Sequence, residues 1–121
     1  MVLLHLPQSK KNNLMSLQEY YINKLKDVNA FWSYDSSVIN SIDEEVLIEN
    51  VLIHLEFEDI ILLFNNYPKS KIKAAWINRL VRQEPMYHNL NNMIALLFFN
   101  IKNPKRYLQR KKKEILKSMA L

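Results

Sequence analysis

In Arg82-Gln-Glu-Pro-Met-Tyr-His88 an arginine and a histidine stand six residues apart. The imidazole moves protons and the guanidinium forks onto phosphate oxygens. Pro85 lies between them and disfavours the helical region at Glu84, so the two residues should stand on either side of a helix break. The other histidines, His5 and His54, are too distant in sequence to pair with His88 at a metal-binding spacing such as H-x-x-x-H. His54 and Glu58 are four apart, but a helix break is predicted between them. Nine acids and no Lys or Arg occupy the stretch from Asp27 to Pro68. Of these, Glu44, Glu45 and Glu49 read as the polar face and capped start of one helix. Paired catalytic carboxylates would need a second acid from elsewhere, such as Asp35 or Asp59, and no spacing fixes one. The chain has no Cys and no Gly. That removes thiolate sites, disulfides, Gly-rich phosphate loops and nucleophile elbows in their usual forms. No catalytic residue, metal ligand, cofactor or small-molecule substrate is assigned, and the expectation is a protein that is not an enzyme.

The more specific signal is positional. Lys102, Lys105, Arg106, Arg110, Lys111, Lys112, Lys113 and Lys117 put eight cations in sixteen residues, against one acid, Glu114. A formal charge of +5 thus combines a negative middle with a strongly positive end. Charge patterning of this kind speaks to partners rather than to fold. Three readings stay open: a solvated helix face, a contact with an acidic protein surface (a second copy included), or phosphate neutralisation on a nucleic acid. Tyr107 can stack on a base or anchor the helix. The candidate binding residues are Lys105, Arg106, Arg110, Lys111, Lys112 and Lys113. Trp32 joins them from the aromatic stretch Asn29-Ala-Phe-Trp-Ser-Tyr-Asp35.

The elements that must position these residues read as helices. Fourteen Asn in a chain without Gly suit left-handed helix ends better than tight hairpins. A first helix is predicted from Leu14 to Asp27, capped by Asn12 or Asn13. A second starts at a Ser41/Glu44 capping box and ends near Leu55. A third runs from Glu58 to Asn65; its run Ile60–Phe64 is apolar all round, so it should be buried on most sides, with a strand as the competing reading. A fourth runs from a Ser70 cap to Gln83, with Ile72, Ala75, Trp76 and Leu80 inward. A fifth carries Leu90, Met93, Ile94, Leu97, Phe98 and Ile101 at the 3.6 repeat, with Asn91 and Asn92 opposite; it is expected to be the central core helix. Asn103-Pro104 opens a sixth, with a thin apolar edge of Tyr107, Leu108, Ile115 and Met119. The expectation is one compact all-α domain over 1–121 with five or six helices, an N-terminal arm at 1–12 and a basic C-terminal helix at 104–121. No run reaches the length of a membrane span, and the start MVLLHL lacks the features of a signal peptide. A cytoplasmic protein with no membrane partner is expected.

Two resemblances follow from these residues. The Arg82–His88 spacing is similar to that in all-helical ribonucleases of the HEPN class, with Gln83 where a different polar residue is usual. Separately, Phe31-Trp-Ser-Tyr-Asp35, Ile48-Glu-Asn-Val-Leu52, Glu58-Asp59 and Leu63-Phe-Asn-Asn-Tyr67 resemble a group of small Bacteroidetes-type helical proteins. Members share FW-x-x-D, I-E-x-V-L and LF-x-x-Y patterns and often lie beside AbiEii-type nucleotidyltransferase toxins. Ile94–Tyr107 is compatible with the longer members, whereas Asn66-Tyr67-Pro68 stands where members often carry Tyr-Gly. The second resemblance implies an antitoxin-like partner protein and assigns no functional residue.

Overall fold

Ser16 starts the first helix. Its backbone is extended, its hydroxyl accepts from the Glu19 amide at 3.1 Å, and the Glu19 carboxylate accepts from the Ser16 amide at 3.0 Å. This reciprocal capping box sets α1 at Leu17–Asp27, three residues later than the apolar spacing alone suggests. The computed structural model describes residues 16–30 and 42–119; Asn12, Asn13 and the predicted start Leu14 lie outside them, as do the N-terminal arm, the aromatic stretch 31–35 with Trp32, and Ser41. α1 ends in a Schellman turn. Asn29 takes φ 63°, and the Ala30 and Asn29 amides donate to the Leu25 and Lys26 carbonyls at 2.9 Å. Asn100 adopts the same left-handed conformation, φ 52°, after the fifth helix. Asparagine therefore does here what glycine commonly does.

Helix α2 is Glu44–His54 and is capped by Asp43, not Ser41: the Asp43 carboxylate accepts from the Glu45 amide at 3.0 Å. Glu44 is therefore the first helical residue rather than the third. Helix α3, Phe57–Asn66, settles the apolar run as helical. It is not buried on most sides: Ile60 and Leu63 are inside while Ile61 is 39% exposed, because one side of α3 has no neighbour among the described residues. Helix α4, Lys69–Arg79, follows Pro68, and Ser70 falls inside its first turn rather than capping it. It stops at Arg79 and tightens into a 3-10 turn at Val81–Gln83 instead of continuing to Gln83. Helix α5 is His88–Phe98 and α6 is Pro104–Met119. Among the described residues the fold is a single all-α domain of six helices with no strand.

The core is centred on α4 against α2, the most extensive helix pairing, rather than on α5. Ile72, Ala75, Trp76 and Leu80 are buried as their spacing predicts, packed with Leu47, Ile48, Val51 and Leu52 of α2. Trp76 stacks on Phe99 at 5.1 Å and on Tyr107 at 6.1 Å between ring centroids. The inward face of α5 is Asn91, Ile94 and Ala95, so its apolar stripe is rotated outward and Leu97 is 60% exposed. The reason is a polar one: Asn91, expected on the far side, is drawn in by hydrogen bonds described below.

A second polar tie joins α1 to α3. Asp59 is buried, and its carboxylate accepts from the Tyr20 hydroxyl at 2.8 Å and from Lys24 Nζ at 3.0 Å. The Tyr21 hydroxyl donates to the Asp59 carbonyl at 2.9 Å. Burial pushes both tyrosine hydroxyls above the ordinary value of 10.0, with the Asp59 charge adding to it. Burial pulls the Lys24 ammonium down, but its bond to Asp59 and the carboxylate charge outweigh that and hold it above 10.5. All three groups are raised in the folded state, so their stabilisation is present below the unfolded values and is lost as pH rises through the folded ones. Stability should be flat near pH 8 and fall above about pH 10, and Tyr21→Phe should flatten that fall. Urea midpoints from about pH 8 to about pH 11 test this, and an alkaline limb unchanged by Tyr21→Phe would contradict it.

Candidate functional site

The acidic middle of the chain is largely consumed inside the fold. Glu44 pairs with Lys71 at 2.8 Å; Glu45 pairs with Arg79 at 3.2 Å and accepts from Asn78 at 3.1 Å; Glu49 lies 3.8 Å from Arg79. These contacts form a seam along α2 and α4, whose cations sit off the apolar stripe. Burial raises the Glu49 carboxyl above its usual value, against the lowering influence of Arg79. The acids of α2 thus face Lys71 and Arg79 of α4. Across an exposed seam of this kind each pair contributes only about 0–1 kcal/mol, so its consequence is charge balance more than stability.

The C-terminal cations have no such counterpart. Asn103 accepts from the Arg106 amide at 3.2 Å, and Pro104 opens α6 as its spacing predicts. The helix spans sixteen residues, about 24 Å at 1.5 Å per residue, yet Leu108 is its one buried residue among those described. Tyr107 is stacked on Trp76, and Lys73, Arg110 and Lys111 lie 5.1–5.7 Å from its ring centre. Tyr107 is therefore an anchor, and its faces are not available as a base-stacking platform. Lys111 is half-buried beside it and lies 3.3 Å from Glu114, which also stands 3.9 Å from Arg110. Lys105, Arg106, Lys112 and Lys113 are exposed and have no acidic partner among the described residues. Arg106, Gln109, Arg110, Lys112, Lys113 and Leu116 line an open groove of about 700 Å³. Leu116, 54% exposed, gives this charged surface one apolar contact.

An adjoining face of α6, sharing Gln109 and Lys112 with the groove, borders a different feature. Lys105, Leu108, Gln109 and Lys112 meet Glu84, Pro85 and His88 around a pocket of about 270 Å³. His88 Nδ1 lies 2.8 Å from Glu84 Oε1, and Glu84 Oε2 accepts from the Asn91 amide at 2.7 Å. The same Asn91 amide reaches the Leu80 carbonyl at 3.4 Å, while its oxygen accepts from Trp76 Nε1 at 2.9 Å. A hydrogen-bonded chain thus runs from the core tryptophan through Asn91 and Glu84 to an imidazole at the pocket wall. Arg82 is not part of it. Its guanidinium is exposed, donates to Met119 Sδ at 3.6 Å and does not line the pocket. The turn after Gln83 carries the two residues of the HEPN-like spacing to different surroundings.

Sequence reading did not single out Glu84 and Asn91. In the sequence Glu84 reads only as the residue before Pro85 that ends a helix, and Pro85 reads as a break between Arg82 and His88. The 3.6 repeat of α5 placed Asn91 outside. Trp32, proposed with the basic residues, lies outside the described residues, as does His5. His54 is exposed, and no group of three metal-ligating side chains occurs among the described residues. No helix described is long and apolar enough to cross a membrane. Of the residues carrying the antitoxin-like resemblance, Ile48, Val51, Leu52 and Leu63 are core positions. Comparison with protein-family models, with curated proteins and with solved structures finds no match to this chain.

Proposed function

We propose that this chain is a noncatalytic cytoplasmic interaction protein that presents the solvent side of α6 to an acidic surface on a partner protein. In the finer form of this reading, the partner is a nucleotidyltransferase-type toxin that the chain masks as its antidote. One observation carries it: the acids of α2 are paired within the fold, whereas Arg106 and Lys113 are exposed with no acid against them among the described residues. Clustered cations held on a rigid helix are well suited to steer and register an oppositely charged surface. Because Tyr107 is committed to Trp76, α6 itself would hold a nucleic acid by phosphate contacts rather than by base stacking on Tyr107.

The test is fluorescence anisotropy of the full chain against a nucleotidyltransferase-type partner and against single- and double-stranded nucleic acid, at about 50 and about 200 mM salt. The double reversal Arg110→Glu with Lys113→Glu should weaken protein binding by about tenfold or more, mainly through association rate. Unchanged affinity in the reversed variant at low salt would remove α6 from the interface. Binding to nucleic acid alone, with a steep salt slope, would replace the protein reading by a phosphate-binding one.

A further inference from the structure

We propose that the pocket between the Glu84–His88 turn and α6 receives one bulky apolar side chain, carried by an acidic segment of the partner protein. This rests on the reading of α6 as a surface for an acidic partner and adds where that contact is anchored. Pocket and groove adjoin, because Gln109 and Lys112 line both. Their chemistry differs. Pro85 and Leu108 are apolar, and the surface lining the pocket is mostly carbon although Lys105, Gln109 and Lys112 border it. These exposed long side chains therefore wall it with their stems. Glu84, the one carboxylate there, has 8% of its side chain exposed and is engaged through both oxygens. A charged group pushed inside would lose its hydration and find little to pair with.

Size selects a single side chain. At about 270 Å³ the pocket is smaller than the about 300–1,000 Å³ typical of small-molecule sites. A nucleobase would bring ring nitrogens and exocyclic groups that a mostly apolar lining leaves unpaired. A leucine or phenylalanine brings none. Around the mouth the charge has one sign. Lys105 and Lys112 border the pocket, Arg106 and Lys113 line the adjoining groove, and none of them has an acidic partner among the described residues. An acidic segment complements that rim, and Leu116 in the groove offers it a second apolar contact. Interface energy commonly concentrates in one such pocketed side chain, while rim charges govern encounter and register. The fully buried Asn91 stiffens the socket, because its bonds to Trp76 and Glu84 tie the pocket wall to the core.

The experiment titrates the full chain with two fluorescent acidic peptides of alternating Glu and Ser, one with a central Leu and its twin with Ala there. Anisotropy gives affinity, and the methyl resonances of Leu108 report on the pocket. The leucine peptide should bind about tenfold or more tighter and move the Leu108 signals, whereas the alanine peptide should leave them in place. The double reversal Arg110→Glu with Lys113→Glu should weaken both peptides alike. Equal affinity for the two peptides, lost in the reversed variant, would overturn the anchor and leave the charged surface standing. No binding of either peptide by about 1 mM would overturn the charged surface and the anchor with it. A single-stranded oligonucleotide that moved the Leu108 signals would assign the pocket to a nucleobase and overturn the protein occupant.

Discussion

Trp76→Ala is expected to destabilise the chain by about 4–5 kcal/mol, the largest loss from any single truncation. Trp76 has no solvent exposure and is the largest side chain in the core. Truncation removes the indole volume and both stacks, on Phe99 and on Tyr107. It also leaves the Asn91 oxygen without its donor in a dry interior. Aromatic pairs contribute about 0.5–1.5 kcal/mol beyond area burial, so the site belongs at the upper end of the usual Trp→Ala range. Against a typical domain stability of about 5–15 kcal/mol, the variant is expected to be only marginally folded. Trp76→Phe keeps most of the volume and isolates the lost hydrogen bond, at about 1–3 kcal/mol. Urea denaturation of both variants gives the comparison. A loss below about 2 kcal/mol for the alanine variant would show that Trp76 is not the centre of the packing.

Asn91→Asp is the second large effect, expected at about 3 kcal/mol. The substitution preserves shape and keeps an acceptor for Trp76 Nε1. It replaces the amide group that now donates to Glu84 Oε2 at 2.7 Å, setting one carboxylate against another in a buried position. The distinguishing test is Glu84→Gln in the same background. A glutamine there can donate to the new carboxylate, so the double variant should recover a large part of the loss, as a coupling of about 1–3 kcal/mol. The two substitutions adding independently would show that the Trp76–Asn91–Glu84 chain does not act as a unit. Because His88 takes its orientation from Glu84, the same pair of variants also reads out how firmly the pocket wall is held.

Trp76 was legible as an inward residue, whereas Asn91 marks where sequence reasoning stopped. Helix content was legible: periodic Leu, Ile and Val, the Asn103-Pro104 start and a glycine-free composition with abundant Asn all act locally. The left-handed Asn29 and Asn100 confirm that local logic. Caps were less legible. Ser16 and Asp43 each compete with nearby residues of similar capping ability, and the winner depends on where the chain leaves the helix. The facing of α5 was misjudged because period counting treats an amide as surface. A buried indole N–H and a buried carboxylate together made a place for one inside.

The sequence by itself determined an all-helical chain, the inward stripe of α4 and a final helix overloaded with cations. Each follows from short-range spacing or composition, which needs no knowledge of neighbours. Only the tertiary structure decided which charges remain over. It set Lys71 and Arg79 against Glu44, Glu45 and Glu49, and left Arg106 and Lys113 facing water. It also gave Arg82 and His88 different partners and placed Glu84, Lys105 and Lys112 with the histidine around one pocket. Pairing across more than twenty residues depends on how helices dock, and no local pattern encodes which faces will meet.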